Sequence, residues 1–572
     1  MGLGVLDTRD GHHAPGTVTL DLSAAHVLQA EQVWKRGSGK DADIVLVPQP
    51  SEDANDPLNW PSLKKFSVFF IILLGTAFIT VVPAPMLNAG IAQVSIDLDR
   101  SFSDITKQSG YMLLSLGAVS PFASALARKY GKRPVFVVSS IFGLAGCLVA
   151  ESANTYSTLV AGRVLQGVGA SAYESLCTSV VTDLYFVHQR GFYVAMVVFF
   201  LTSLSNGVSV LAGLITTNLG WHYNFYILLP FVALQTILVI FFVPETTYNR
   251  SIVYNIDRVG SEDDEDNKEE RATQTSHVET SHAEKEVAPT APDAVPFSEE
   301  RAYNDTTGLP PRKSYVQQLA LYNGVFTDKP LWAMVLASFV IMANAIASFN
   351  IFISGLIMAW FVAMSVIAGV MFTLPPWGFD AAQIGYVSAG PLIGGTIASA
   401  FLALVSDPLI RYMTRKNKGV YEPEFRLVLA SVGGALTISG LSGFGYTVQT
   451  GQSIYLISFL WGMTLCGMSI VASITMAYAL DSHPAHSVEI FIMNITFKNF
   501  FFYGLTNYIV EWFTDQGAQN LFGVIAGITG FLMLLTFPMY IYGKRYRHYW
   551  SSHNLLVKLH LDDDPHASHD TH

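Results

Sequence analysis

Charge is scarce in this chain. Only 13% of its 572 residues are Asp, Glu, Lys or Arg, about half the share of an ordinary globular protein, which rules against a large water-soluble protein. Cysteine is scarcer still: Cys147, Cys177 and Cys466 each fall inside an apolar run with no C-x-x-C spacing, so neither a disulfide framework nor a zinc site is expected. His483 with His486, and His566, His569 and His572 in the tail, lack a matching cluster of Cys or carboxylates, so no metal is expected there either. A basic surface is also missing. The net charge is −11, which leaves no footprint for nucleic acid. No Walker A pattern occurs, so ATP is not the direct energy source, and no other cofactor is expected. The first 62 residues lack the pattern of a secretory signal and read as a cytosolic tail.

What is abundant is apolar surface, with 51% apolar and 12% aromatic residues and a mean hydropathy of +0.37. It is gathered into runs long enough to cross about 30 Å of hydrocarbon, which takes about 20 helical residues each. Six spans are expected near 66–89, 109–127, 135–150, 159–182, 192–215 and 225–243, and six more near 338–373, 383–405, 427–446, 454–478, 489–509 and 521–542. The run from Leu331 to Thr373 exceeds one crossing and has room for a short interfacial helix before the seventh span. Residues 251–313 hold 15 acidic and 7 basic side chains with almost no large apolar residue, a composition that cannot fold alone.

The expected organisation is therefore a cytosolic tail (1–63), a six-helix bundle (64–250), an acidic linker (251–330), a second six-helix bundle (331–542) and a cytosolic tail (543–572). Lys and Arg placement sets the orientation. Arg128, Lys129, Lys132, Arg133, Arg190, Arg250, Arg411, Arg415, Lys416 and Lys418 fall in connections on the side of the termini, against Arg100 and Lys107 on the other. Both termini are thus expected in the cytosol, and the sequons at Asn249, Asn304 and Asn494 should stay unglycosylated. Two pseudo-repeated halves joined by a polar loop is the layout of a carrier that rocks around a central site.

Two segments carry the strongest polar signals. In ARKYGKRPVF (127–136) a tight turn at Gly131 is flanked by Lys132 and Arg133, cations suited to helix ends at the inner leaflet, with simple topology signalling as the plainer reading. The fourth span, LVAGRVLQGVGASAYESL (159–176), places Arg163 and Glu174 in apolar surroundings, where each costs about 2.5–3.5 kcal/mol near a helix centre. Eleven residues is almost three turns, so the two lie on one stripe about 16 Å apart, too far to pair with each other. Arg163 is a candidate for gating or for a structural pair, and Glu174 for contact with substrate or proton. Tyr173 can stack a planar or cationic ligand or simply pack. In the eleventh span Lys498 stands one turn beyond Asn494 on the same face, poised for substrate contact or for pairing with a carboxylate on another helix. Glu489 at that helix start suits the dipole.

These segments resemble the major facilitator superfamily. Arg163 to Ser171 looks like its fourth-helix motif, and Gly131, Lys132 and Arg133 look like its loop-two-three motif. DPLNWP (56–61), DLYFVHQRG (183–191), GWHYNF (220–225), PETTYNR (244–250), YEPEFRL (421–427) and the run Asp481, Ser482, Pro484, Glu489, Asn494, Lys498, Asn499 are similar to fungal twelve-span drug:proton antiporter-type carriers, in a subgroup that includes yeast carriers for histidinol and polyamines. The resemblance implies an all-α polytopic membrane protein of twelve helices in two six-helix bundles, alternating access, and energy from the proton gradient, with Arg163 at the position linked to proton coupling. Two departures stand out. Arg128 and Ser124 replace the motif's usual Asp and Gly, so its usual charge contact should not form in the same way. Ser209 stands where the antiporter pattern has Pro.

The function expected is a proton-coupled secondary carrier, acting as a monomer in the plasma membrane and exporting a drug, toxin or secondary metabolite. Proton-driven uptake of a cationic nutrient such as a polyamine is the alternative, and a transporter-like sensor a third reading. An enzyme is not expected, because no intramembrane His or Ser-His-Asp set is present.

Overall fold

The computed structural model describes residues 3–7, 14–19, 46, 48–248, 250 and 312–561. Residues 251–311, most of the acidic linker, and the histidines of the tail beyond residue 561 lie outside the described residues. The described residues form twelve long helices: α1 Ser62–Val81, α2 Phe102–Tyr130, α3 Lys132–Glu151, α4 Tyr156–Leu184, α5 Gln189–Leu219 and α6 His222–Phe242, then α7 Ala345–Met371, α8 Ala381–Lys416, α9 Pro423–Gln449, α10 Ile454–Ser482, α11 Ser487–Thr506 and α12 Ile509–Lys558. Ten are long and apolar enough to cross a membrane. The other two, α4 and α11, carry the polar and charged residues singled out above. They are enclosed by neighbours, α4 by α2 and α3 and α11 by α2 and α7.

Boundaries follow local chemistry. Helix α1 stops at Val81, earlier than hydropathy suggests, because Pro83 and Pro85 follow within four residues and proline lacks the N–H a helix needs. The long run before the seventh span does contain a short helix, Leu331–Ala343. It breaks at Asn344, whose extended backbone and side-chain oxygen, accepting from Ile346 N at 2.9 Å, cap α7.

Small residues set the closeness of the bundles. A Cβ on Gly167 of α4 would sit 2.1 Å from the Met112 carbonyl of α2, and one on Gly169 would sit 2.4 Å from Gly143 N of α3. Ser115 of α2 donates to Val164 O at 3.0 Å. In the second half, Gly433 of α9 and Gly467 of α10 meet backbone to backbone in the same way. Without a hydrophobic drive between helices in lipid, such contacts carry the association.

The two halves meet along α2 with α11 and α5 with α8. On the face opposite the termini, Asn88 donates to Ser365 of α7 at 3.0 Å and Ala382 N of α8 to Thr217 of α5 at 2.9 Å. At mid-depth Thr496 of α11 donates to Gly117 O of α2 at 3.2 Å.

On the face that carries both termini, each half has its own ionic clasp. In the first, Lys132 at the start of α3 pairs with Asp183 at the end of α4 at 2.5 Å, and Arg133 donates to Val243 O and Ile240 O at the end of α6 at 2.8 and 2.7 Å. In the second, Arg426 in the first turns of α9 pairs with Asp481 at the end of α10 at 2.7 Å, and Arg547 of α12 reaches Glu422 and Glu424 at 2.9 and 2.8 Å. The N-terminal tail is anchored to both halves. Val18–Thr19 pairs antiparallel with Val420–Tyr421, Leu6 N donates to Ile541 O at 3.0 Å, and Asp56 takes a two-pronged pair from Arg250 at 2.8 and 3.1 Å.

Two expected outcomes follow from this packing. Gly167→Ala should lower the thermal midpoint of the detergent-solubilised protein by several degrees, in line with about 1–3 kcal/mol of overpacking, while Gly191→Ala, with nothing within 4 Å of the added carbon, should not. Burial alone would raise the Asp56 carboxyl, but the hydrogen bonds and charge of Arg250 outweigh it and hold the group below its ordinary range. A lowered folded value means stability that is complete above the ordinary carboxylate value of about 4 and is lost as the pH falls through the folded one. The gap in thermal midpoint between the wild type and Asp56→Asn should therefore be widest near neutrality and shrink below pH 4.

Candidate functional site

The hydrocarbon interior is the wrong place for a charge unless a partner or a water-filled cleft receives it. Helix α4 begins behind Thr155, whose hydroxyl caps Thr158 N at 3.2 Å, and from that start Glu174 falls ten residues, about 15 Å by the helical rise, short of the α4 end on the terminal face. Helix α11 begins on that face, and Lys498 falls eleven residues, about 16 Å, from its start. The two therefore lie at one depth, near the middle of about 30 Å of hydrocarbon, and on opposite halves.

They meet there. Lys498 Nζ donates to Glu174 Oε1 in an ion pair that joins the bundles, and the two side chains keep 16% and 13% of their surface accessible. The pair is thus formed but reachable. Asn494, one turn from Lys498 toward the terminal face, is buried, and its Nδ2 has no hydrogen-bond partner among the described residues. One turn the other way, Phe501 packs edge-on against Trp360 of α7 with ring centroids 5.2 Å apart, and the buried Trp360 Nε1 is likewise unpartnered. In the sequence, Trp360 and Phe501 are two of many aromatic residues that stand in apolar runs. Their position beside Lys498 carries no periodicity signal, because it depends on how α7 meets α11.

Arg163 is elsewhere. It is fully buried in the first half, donating from Nη1 to Pro83 O at 2.6 Å and Gln166 Oε1 at 3.1 Å, with its guanidinium 5.5 Å from the Phe225 ring centroid. Its Nε and Nη2 have no hydrogen-bond partner among the described residues. The arginine ties the turn after α1 to α4 and touches neither Glu174 nor Lys498. Tyr173 also points away from the pair. Its hydroxyl meets Ser140 of α3 at 2.6 Å, its ring lies 5.1 Å from Phe136, and its edge fills the space left by Gly75 of α1.

The loop-two-three residues act within the first half. Gly131 turns at φ +98°, and a Cβ there would lie 2.3 Å from Glu245 Oε2. That carboxylate accepts from Lys132 N and Arg133 N at 2.9 and 3.1 Å, capping α3. The residue of this segment that crosses between the halves is Arg128, which reaches Glu489 in the first turn of α11 at 2.6 Å. Arg128 was expected to keep the motif's usual charge contact from forming in the same way; in the structure it pairs with the Glu489 carboxylate, and Glu489 serves this pair as well as the helix dipole. Among the described residues no three His, Cys, Asp or Glu side chains are placed to hold a metal ion.

Comparison with known proteins agrees with this architecture. Residues 66–500 match the family model of the Major Facilitator Superfamily. The chain is 24% identical to the protein HOL1 of Saccharomyces cerevisiae over 96% of its own length and 98% of that protein's. It is 29% identical to the MFS antiporter QDR3 of Candida albicans over 36% of its length and 29% of the relative's. The crystal structure of the human organic anion transporter MFSD10 superposes with a TM-score of 0.53 at 12% identity, covering 83% of this chain and 100% of that one, a likeness of fold. With two bundles joined by a mid-membrane ion pair and a family match over most of its length, the chain belongs to the Major Facilitator Superfamily and is a membrane transporter.

Proposed function

We propose that this transporter is a proton-coupled secondary carrier that exports a small organic molecule by alternating access, and that Glu174 and Lys498 are its working pair. One observation carries the reading: an acid and a base from opposite bundles meet at mid-depth and remain partly accessible. Protonation of Glu174 removes one charge of the pair, and with it the Coulombic attraction that holds α4 to α11. Deprotonation restores it. A proton taken up on one side and released on the other thereby changes the cost of rocking the bundles apart, which is the coupling a carrier needs.

Arg163 contributes at a distance, by holding the Pro83 turn of α1 to α4 so that both move together. Lys132, Arg133 and Gly131 keep the ends of α3, α4 and α6 in one rigid body on the terminal face, which this reading places in the cytosol of a cell whose plasma membrane holds the protein as a monomer. Export is supported by the likeness to the relative named an antiporter. Uptake of a cation would use Glu174 as the counter-charge, and in the structure that position is taken by Lys498.

The test is accumulation of labelled hydrophobic toxins in transporter-depleted yeast with and without this chain. Expression should lower intracellular toxin. An uncoupler should abolish the effect, as should Arg163→Ala in protein still present at the surface. Transport that persists unchanged with the proton gradient collapsed sinks the coupling.

The pair itself makes a sharper expectation. Glu174→Gln leaves the Lys498 ammonium without its counter-charge at mid-membrane, so it should reduce transport at least tenfold and lower the yield of folded protein. Glu174→Gln combined with Lys498→Gln should recover the folded yield, measured by size exclusion, without recovering gradient-driven transport.

A further inference from the structure

Resting on the reading of Glu174 and Lys498 as the working pair, we infer that the substrate is amphoteric: one small molecule carrying an ammonium and a carboxylate close together, on an apolar or aromatic body. The reason lies in what an approaching ligand has to replace. The two side chains already satisfy each other across the bundle interface. A simple cation that takes Glu174 leaves the Lys498 ammonium without its counter-charge at mid-membrane, and a simple anion that takes Lys498 leaves the Glu174 carboxylate in the same position. A ligand bearing both groups replaces both interactions at once, its ammonium going to Glu174 and its carboxylate to Lys498, with no charge left over.

Two further features sit on the same face of α11. One turn toward the terminal face, Asn494 offers an amide donor that is 95% buried and unpartnered among the described residues, a second donor for a ligand carboxylate. One turn the other way, Phe501 and the 97%-buried Trp360 form an edge-to-face aromatic surface, with the indole N–H unpartnered. Buried donors without acceptors are costly to maintain. A carboxylate at Lys498 flanked by an apolar side group toward Trp360 would satisfy the first donor and cover the aromatic face.

Matched probes separate the charge classes while keeping the body constant. Phenylalanine, tyrosine and tryptophan are compared with their decarboxylated amines (phenethylamine, tyramine and tryptamine) and with the corresponding acids that lack the amine. Binding is measured to the full-length purified chain in detergent, where no gradient or direction of transport is involved. The amphoteric member of each series should bind at least tenfold more tightly than either partner. The preference should vanish in Glu174→Gln and in Lys498→Gln. It should survive in the exchanged pair Glu174→Lys with Lys498→Glu, which keeps one charge of each sign.

Amines binding as tightly as the amino acids would overturn the inference in favour of a cation site. Equal binding across each series, or no binding by any member, would overturn it outright. The ranking on the wild type needs no variant to fold. Amphoteric preference without any proton-driven flux would sink the carrier reading and leave this one standing. Proton-driven export of toxins with no such preference would do the reverse.

Discussion

A single constraint organises the molecule: a charge placed in hydrocarbon has to be answered, and for Glu174 and Lys498 the answer lies on the other half. Glu174 belongs to α4 and Lys498 to α11, and neither bundle alone offers the other's partner. The pair is therefore a property of the assembled transporter rather than of either half. It also explains why α4 and α11 are the two long helices not apolar enough to qualify as membrane spans on their own. Their polar positions are solvated by each other and by the neighbours that enclose them.

The same electrostatic economy recurs on the terminal face, where both halves solve one problem with different residues. A cation at the start of the third helix of each half, Lys132 or Arg426, pairs with the aspartate that ends the fourth, Asp183 or Asp481. Each clasp joins helices within its own half. Crossing between the halves is left to fewer contacts, among them Arg128 with Glu489 on this face and Asn88 with Ser365 on the other. The glycine-lined contacts inside each bundle, such as Gly167 against Met112, cannot open without losing close packing.

Much of this was legible in the amino-acid order. Hydropathy pointed to twelve spans, and twelve long helices form among the described residues, ten of them apolar enough to cross a membrane; the excess length of the run from Leu331 announced the short helix that Asn344 separates from α7. It misjudged the end of α1, where two prolines override an apolar pattern. Charge in an apolar helix singled out Arg163, Glu174 and Lys498, since a cost of that size is retained only where something answers it. Which of them answer each other was not legible. Arg163 and Glu174 share a stripe, yet one is enclosed in the first bundle and the other faces the second. Tyr173, adjacent to Glu174, points about 100° around the helix and disappears into the bundle core. A polar N-terminal tail gave no sign that Leu6, Val18 and Thr19 would dock on the second half.

The sequence by itself determined the environment, the number of long helices, the placement of charge along each helix and the depth at which each charge would sit, because these depend on composition and on a fixed rise per residue. Tertiary structure alone decided that Glu174 meets Lys498, that Arg128 finds Glu489, and that Trp360 stands beside Phe501. Those outcomes depend on the rotation and lateral packing of helices hundreds of residues apart, set by where glycines let backbones approach, and no local period encodes them.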